Sequence, residues 1–205
     1  MLNDWPFGDL KPLSYDIIMA DPPWQFELYS QTTGIAKSAQ AQYACMSLDD
    51  IKRLPVGHLA AGDCLLWLWA TAPMLPAAFE VMKAWSFVYV TMGCWHKKTI
   101  HGKTAFGTGY RLRSACEPFL IGTIGNPRTS RDQRNLVEGL VREHSRKPDE
   151  AFRMAEKLLP NSDRRLELFC RQLREGWDGW GYETEKFAPR EASSLWQHQT
   201  NGPLT

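Results

Sequence analysis

An apolar run over Tyr15–Ala20 is followed directly by Asp21, Pro22, Pro23 and Trp24. The run predicts a buried β-strand. Two consecutive prolines end it, because each ring fixes φ and neither nitrogen has a hydrogen to donate. In open α/β sheets, ligands bind at the carboxyl ends of the strands. The four residues after the run are therefore candidates for a functional site.

The chemistry of these residues favours an exocyclic amino group as the ligand. The Asp21 carboxylate and the Pro22 carbonyl are rigid acceptors, and an amino group offers two N–H donors. Trp24 offers a flat face on which a planar base can stack. A simple turn beside a core tryptophan is the alternative. The acid before the prolines and the tryptophan after them favour the functional interpretation.

The composition is that of a soluble globular protein. The chain has 205 residues, of which 43% are hydrophobic and 23% charged, and this suits one domain. No apolar run is long enough to span a membrane, and the N-terminus lacks the features of a signal peptide, so we expect a cytoplasmic protein. The five cysteines are widely spaced and indicate reduced thiols. No metal site is predicted, because neither cysteines nor histidines have ligand spacing.

Charge is distributed unevenly along the chain. The formal net charge is +1, but residues 95–147 hold eleven Lys/Arg against four Asp/Glu, a local charge of +7. A basic middle third suits the phosphate backbone of a nucleic acid. A solvated loop region whose charges only maintain solubility explains the same pattern, and the charges alone do not separate the two interpretations.

Uncharged strands alternate with amphipathic helices, which indicates an α/β sandwich with a mainly parallel sheet. The predicted strands are Tyr15–Ala20, Cys64–Ala70, Phe87–Trp95, Pro118–Ile124, Arg165–Cys170 and Trp177–Gly181. The predicted helices are Pro73–Trp85 and Pro148–Leu159. Two stretches, Gln25–Ala44 and His96–Arg113, are predicted to be irregular, and we expect the first to be a mobile loop.

Several fragments occur in the order of a known family: Asp21–Trp24, Tyr43–Ser47, Ser145–Glu150, Glu167–Arg171 and Gly176–Glu183. Together they resemble the adenine-N6 methyltransferases named for the seventy-kilodalton subunit of the mRNA adenine methyltransferase (MT-A), with their bacterial and phage relatives. The resemblance implies a Rossmann-like fold in permuted order, with the catalytic motif ahead of the main cofactor strand. It also implies S-adenosylmethionine (SAM) as cofactor and adenine N6 in nucleic acid as substrate. We expect one domain over residues 5–187 and a disordered tail over 188–205.

The resemblance also assigns roles to individual residues. Asp21 and the Pro22 carbonyl would hold the target amine, and Pro23 and Trp24 would shape the base pocket. The matches to cofactor-binding positions are Asp21, Lys147, Arg171, Tyr182, Glu183, Phe7 and Gly8. Of these, Lys147 would meet the cofactor's carboxylate and Glu183 its ribose hydroxyls, while Tyr182 replaces the asparagine that the family usually has.

Four further positions match the surroundings of the target base: Tyr43, Glu117, Trp95 and Lys97. Glu117 would lie at the mouth of the pocket, and Trp95 with Lys97 forms a Trp-x-Lys element beside the catalytic strand. Glu167 is interpreted as a structural acid. Trp67 and Trp69 are interpreted as core residues.

The mechanism that the resemblance implies is direct in-line methyl transfer onto a base taken out of any duplex stack. The compact form resembles bacterial and phage members that modify DNA, so DNA is the favoured substrate. The alternatives are an RNA substrate, a nucleic-acid-binding subunit that needs an active partner, and an enzyme for a small-molecule or protein amine. A homodimer and a complex with a partner subunit both stay open.

Overall fold

A computed structural model of the protein describes residues 5–25, 45–109, 111–143, 146–182 and 184. Within these residues seven strands form one sheet: β1 (Tyr15–Ala20), β2 (Ala60–Trp69), β3 (Val88–Lys98), β4 (Cys116–Ile124), β5 (Leu136–Leu140), β6 (Arg165–Leu168) and β7 (Asp178–Trp180). Three α-helices accompany it: α1 (Leu48–Arg53), α2 (Leu75–Ala84) and α3 (Asp149–Leu158). Short 3₁₀ turns cover Val56–His58 and Ala72–Met74.

The strand order is β5-β3-β4-β2-β1-β6-β7. All neighbouring pairs are parallel except the two that involve β4, which runs antiparallel to both β2 and β3. The prediction of an α/β fold with a mainly parallel sheet is confirmed. Because β4 is reversed, it begins at the edge where the other strands end. Residues at the start of β4 therefore lie beside the carboxyl ends of β2 and β3, where ligands bind in such sheets.

The six predicted strands are all present, and β1 has the predicted bounds. The two predicted helices correspond to α2 and α3. One prediction is wrong: His96–Arg113 is not irregular throughout, because its first three residues complete β3. Neither α1 nor β5 was predicted from the sequence. The predicted mobile loop at Gln25–Ala44 and the tail at 188–205 lie outside the described residues, apart from Gln25.

The alternation of side chains in β1 divides the core into two layers. Ile18 and Ala20 belong to the cluster that packs under α1 and α2, whereas Ile17 and Met19 belong to the cluster under α3. Asp21 is the next residue in the second set, so the direction of β1 places its carboxylate on the α3 side of the sheet. No helix among the described residues is long and apolar enough to cross a membrane.

Aromatic side chains fill the layer under α3. Trp67 and Trp69 are fully buried, which confirms their interpretation as core residues. The ring of Trp67 stacks on Phe119 with a centroid distance of 3.8 Å, and Trp69 meets Trp95 edge to face. An aromatic side chain of this size buries roughly 200 Å², which is worth about 5 kcal/mol before conformational entropy is subtracted. The charged groups of the site lie against this aromatic layer.

Candidate active site

The backbone after β1 is fixed by its prolines and by three backbone hydrogen bonds. The Asp21 amide donates to the Leu168 carbonyl of β6 at 3.4 Å, and the Trp24 amide donates to the Pro22 carbonyl at 2.8 Å. The Met46 amide donates to the Pro23 carbonyl at 3.0 Å, where the chain returns. The Pro22 carbonyl keeps a second lone pair, because a carbonyl oxygen accepts two hydrogen bonds.

Trp24 does not present a face for stacking. Its side chain is only 4% exposed and lies in the cluster under α1 and α2. The indole Nε1 donates to the Trp69 carbonyl at 3.2 Å. The expectation of a stacking platform is therefore wrong for this structure: a large apolar ring is more stable in the core. Trp24 instead anchors the Asp-Pro-Pro turn to the end of β2.

Asp21 lies in a chain of alternating charges. The Lys147 ammonium donates to Asp21 Oδ2 at 2.7 Å and contacts Glu117 Oε1 at 3.0 Å. Glu117 Oε2 in turn lies 2.7 Å from Lys97 Nζ. The Lys147 side chain is only 8% exposed, and its ammonium lies 5.5 Å from the centroid of the Trp69 ring. Two carboxylates and two ammonium groups thus neutralise one another in a largely buried site.

Burial and the neighbouring charges shift the pKa values of these groups in different directions. Burial raises the pKa of Asp21, and the Lys147 ammonium only partly opposes this. Burial acts in the same sense on Glu117, but Lys147 and Lys97 together outweigh it and hold the pKa of Glu117 below its usual value. The pKa of Lys147 is raised, because its two carboxylate partners overcome the effect of burial. Lys147 therefore stays charged.

The backbone of Lys147 is held by Arg142. Its guanidinium donates to the Lys147 carbonyl at 2.7 Å and makes two hydrogen bonds to the Asp149 carboxylate, at 2.8 and 3.1 Å. Asp149 is the first residue of α3, where a negative charge is stabilised by the helix dipole. Burial raises the pKa of Asp149, but Arg142 and Arg174 reverse the effect and lower it.

A cleft of about 300 Å³ opens on the α3 side of Asp21. Its lining is rich in cations: Asp21, Arg146, Lys147, Glu167, Phe169, Arg171, Gln172 and Arg174. Phe169 has φ of 62°, a left-handed conformation that costs a bulky side chain roughly 1–3 kcal/mol. Its ring packs edge to face on Trp180 at 5.5 Å. The packing against Trp180 offsets part of this cost and holds an apolar ring at one wall of a polar cleft.

Glu167 is the second acid of the cleft. Burial raises its pKa to about 7. Arg174 Nε lies 3.4 Å from Glu167 Oε2, which forms an ion pair without a well-aligned hydrogen bond. The Arg174 guanidinium also donates to Asp149 at 2.6 Å and stacks on the Phe152 ring at 3.8 Å. Arg174 thus joins β6 to the start of α3.

Phe7 and Tyr182 converge on Trp180. The rings of Phe7 and Trp180 meet edge to face at 5.1 Å, and the Tyr182 ring lies 6.2 Å from that of Trp180. Phe7 is buried, whereas Tyr182 is 89% exposed. Gly8 has φ of 58°, which allows the chain to turn away from the sheet there. Since Trp180 also contacts Phe169, this group borders the cleft.

The structure thus brings together Asp21, Lys147, Arg171, Glu117 and Lys97. Trp95 is an exception to the predicted substrate-binding set. Its side chain is 3% exposed and its Nε1 donates to the Gly139 carbonyl at 2.9 Å, so of the Trp-x-Lys element only Lys97 reaches the charged chain. Tyr43 and Glu183 lie outside the described residues.

Sequence reasoning missed Arg142, Phe169, Gln172 and Arg174. The excess of basic residues was visible, but it did not show which cations turn inward. The partners of Arg142 and Arg174 come from α3 and β6, so their roles depend on tertiary structure. The one local signal was Asp149 in the first turn of a helix, seven residues after Arg142.

A mainly parallel sheet with an acid-bearing turn at its carboxyl edge and a cation-rich cleft beside it defines a Rossmann-like methyltransferase. The sequence matches the family described as MT-A70 over residues 15–183, and the chain belongs to that family. It is therefore a methyltransferase of the SAM-dependent class.

Named relatives are found in bacteria and in eukaryotes. The Type II methyltransferase M.MunI of Mycoplasma sp is 30% identical over 197 residues, which cover 88% of this chain and 82% of that protein. The N(6)-adenine-specific methyltransferase METTL4 of Mus musculus is 29% identical over 85% of this chain and 38% of its own length. The N(6)-adenosine-methyltransferase catalytic subunit METTL3 of Homo sapiens is 29% identical over 77% and 26%. The chain thus spans most of the bacterial relative but well under half of the eukaryotic ones.

The residues of the cleft fit SAM. Its amino-acid carboxylate requires cationic donors, and Lys147 and Arg171 both line the cleft beside Asp21. The adenosine half requires an apolar wall, which Phe169 supplies with Trp180 packed against it. Lys147 is less free than the sequence suggested, because both of its carboxylate partners are protein groups. Binding of the cofactor's carboxylate there would add a third anion to one ammonium.

Proposed function

We propose that this protein methylates the N6 amine of adenine in DNA. The observation that carries the proposal is the position of Asp21: a carboxylate at the carboxyl edge of the sheet, on a turn fixed by two prolines and next to a basic cleft. The match to M.MunI, a bacterial Type II methyltransferase of which the chain covers 82%, supports DNA. It agrees with the resemblance of this compact form to bacterial and phage members that modify DNA.

Asp21 and Pro22 provide the acceptors that the amine needs. Lys147 occupies Asp21 Oδ2, and Oδ1 makes no hydrogen bond with any described residue. Oδ1 and the second lone pair of the Pro22 carbonyl can therefore accept the two N–H groups of an exocyclic amine. SAM, when bound, supplies a methyl group already activated by the sulfonium.

The protein groups act on the nucleophile. The lone pair of an adenine amine is delocalised into the ring, which makes it a poor nucleophile. Acceptors fixed on both N–H groups favour a tetrahedral nitrogen and stabilise the positive charge that develops there. The prolines reduce the reorganisation required, and the target base must leave its stack to reach a carboxylate set at the edge of the sheet.

The test is transfer of tritium from labelled SAM to matched adenine-containing DNA and RNA, each single- and double-stranded. We expect label in DNA, as N6-methyladenine after digestion, and no label with the Asp21→Ala variant. Label only in RNA would replace DNA by RNA as the substrate. Label as N4-methylcytosine would change the target base. SAM binding without transfer to either polymer would overturn the proposal.

A further inference from the structure

A connection joins β3 to β4, and its described residues, 99–109 and 111–115, are called the hairpin arm. It contains three basic residues, one histidine and no acid. Lys97 and Lys98 precede it directly, so the stretch from 97 to 115 carries five positive charges and no negative one. A segment that only needs to stay soluble normally mixes both signs. This composition is complementary to a polyanion.

The hairpin arm is ordered by its own hydrogen bonds. The Ala105 amide donates to the Lys97 carbonyl at 2.7 Å, and the Gly107 amide donates to the Ser114 carbonyl at 2.8 Å. The Arg113 guanidinium donates to the Gly107 carbonyl at 2.6 Å. The first bond joins the arm to the end of β3, and the other two hold its two halves against each other. The side chains of the described residues are therefore presented from a defined backbone.

Its charged and apolar side chains point outward. Lys103, Arg111 and Arg113 are exposed, and none of them has a carboxylate partner within the described part of the chain. Phe106 is 79% exposed and Leu112 87%. The Arg113 guanidinium lies 4.7 Å from the centroid of the Phe106 ring and covers one of its faces. An exposed aromatic ring beside unpaired cations is the combination that binds nucleic-acid strands, with phosphates on the cations and bases on the ring.

The root of the hairpin arm is part of the active site. Lys97, at the end of β3, pairs with Glu117, at the start of β4, and Glu117 shares Lys147 with Asp21. Three contacts of 2.7, 3.0 and 2.7 Å therefore connect the base of the arm to the catalytic carboxylate. The arm projects from the carboxyl edge of the sheet, the edge at which the target base must arrive.

We propose that the hairpin arm is the surface that binds the nucleic acid beside the target adenine. Lys103 and Arg111 contact phosphates, and the Phe106 ring packs against bases next to the one withdrawn from the stack. Because this inference rests on the proposed function, its test must separate failure of the arm from failure of the enzyme.

The decisive variant is the double substitution Lys103→Ala/Arg111→Ala. Its control is Lys11→Ala/Lys83→Ala, which removes the same charge from exposed positions outside the arm. For an adenine-containing duplex, we expect the arm variant to lower the slope of log affinity against log salt by about two, since each phosphate contact contributes about 0.9. We expect its KM for DNA to rise about tenfold or more, with the affinity for SAM, measured by calorimetry, unchanged. The control should match the wild type in the salt slope, the KM for DNA and the affinity for SAM.

Phe106→Ala gives a second readout. With 2-aminopurine at the target position, we expect this variant to reduce the fluorescence rise that reports unstacking, at saturating DNA. The inference alone would be overturned if the wild type methylates DNA and the arm variant keeps the wild-type salt dependence of affinity and the wild-type KM for DNA. Wild-type protein that methylates no nucleic acid would overturn the proposed function. If the arm variant differs from the wild type in sedimentation mass but not in affinity for DNA, the arm is a protein interface and the inference is overturned.

Discussion

Lys147 Nζ donates to Asp21 Oδ2 at 2.7 Å although the two residues are 126 positions apart in the chain. β1 ends just before Asp21 and α3 begins just after Lys147, so the sheet and the helix meet at this bond. The same ammonium holds Glu117. One cation therefore links the carboxylate proposed to bind the target amine, the cation-rich cleft and the root of the hairpin arm. Substitutions of Asp21 and of Lys147 test the two partners of this bond separately.

Asp21→Asn should remove the methyl-transfer activity while SAM still binds. The amide keeps the shape of the carboxylate but cannot stabilise positive charge on the amine, and lost stabilisation of this kind costs roughly 10²–10³-fold in kcat. Lys147 keeps Glu117 as a partner, so calorimetry should show SAM affinity within about threefold of the wild type. Loss of SAM binding together with activity would mean that Asp21 serves mainly the cofactor.

Lys147→Met should weaken SAM binding first and also reduce stability. The substitution leaves Asp21 and Glu117 as neighbouring, largely buried carboxylates without their shared cation, at a cost of about 3–5 kcal/mol. The double variant Lys147→Met/Glu117→Gln removes one of those charges. It should regain part of the free energy of unfolding in urea but none of the SAM affinity. Lys97→Met, which leaves Asp21 paired, is the control. If the double variant bound SAM normally, Lys147 would have no direct part in the cofactor site.

Arg142→Met should raise the KM for SAM more than it lowers kcat. Arg142 holds the Lys147 carbonyl and the Asp149 carboxylate without lining the cleft. Loss of a charge-assisted hydrogen bond costs about 1.5–3 kcal/mol, which corresponds to roughly tenfold or more in affinity. Arg153→Met is the matched control, because Arg153 pairs with Glu150 on the exposed face of the same helix. Equal effects of the two substitutions would exclude a positioning role for Arg142.

Trp24→Phe should lower stability and leave the KM for DNA nearly unchanged. The phenylalanine ring keeps the apolar contact but loses the hydrogen bond to the Trp69 carbonyl, at about 1–2 kcal/mol. Trp85→Phe is a control with the same chemistry, since Trp85 Nε1 donates to the Ile51 carbonyl at 2.9 Å away from the site. A KM for DNA that rises much more for Trp24→Phe than for Trp85→Phe would restore the sequence-based role of Trp24 in binding the base.

Glu167→Gln should change how stability depends on pH. Burial raises the pKa of Glu167 to about 7, from 4.5 for an ordinary glutamate. The folded state then binds the proton more tightly than the unfolded state, so the wild type loses stability as pH rises from about 4.5 to about 7. The variant lacks this loss, so its free energy of unfolding should exceed that of the wild type by up to about 3 kcal/mol at pH 8.

Urea unfolding at pH 5, 6, 7 and 8 measures this difference. Glu138→Gln serves as the control, because neighbouring Lys98 lowers the pKa of Glu138. The difference in free energy of unfolding between this variant and the wild type should therefore not change with pH above pH 5. A flat difference for Glu167→Gln as well would show that Glu167 ionises normally in the folded protein.

The sequence predicted well those elements whose signal is local. The bounds of β1 were predictable because an uninterrupted apolar run meets two prolines. The α1 helix was missed because it has six residues and few apolar side chains, although Ser47 caps it as a short polar residue often does. The β5 strand was missed because its edge position exposes alternate residues and its sequence, Leu-Val-Glu-Gly-Leu, includes a glycine.

The charged chain of the site was only partly predictable. The family motifs pointed to Asp21 and Lys147 separately, but their hydrogen bond requires the segment before α3 to lie beside the end of β1. Glu117 joins them because it lies opposite Trp95 in the β3–β4 register, which places it diagonally from Lys97 on the same face. Neither fact follows from residue types alone. The burial of Trp24 was mispredicted for a similar reason, since the core that receives it comes from other parts of the chain.

The reversed direction of β4 has an engineering consequence. The hairpin arm leaves the sheet at the end of β3 and returns at the start of β4, and these two strands are hydrogen-bonded to each other. The ends of the arm therefore stay together whatever sequence lies between them. Closing a loop of twice the length costs only about 0.6 kcal/mol more. The arm can therefore be exchanged as a cassette between relatives, spliced after Lys98 and before Cys116, while Asp21, Glu117 and Lys147 keep their places. In this fold the part that meets the polymer and the part that performs the chemistry can evolve at different rates.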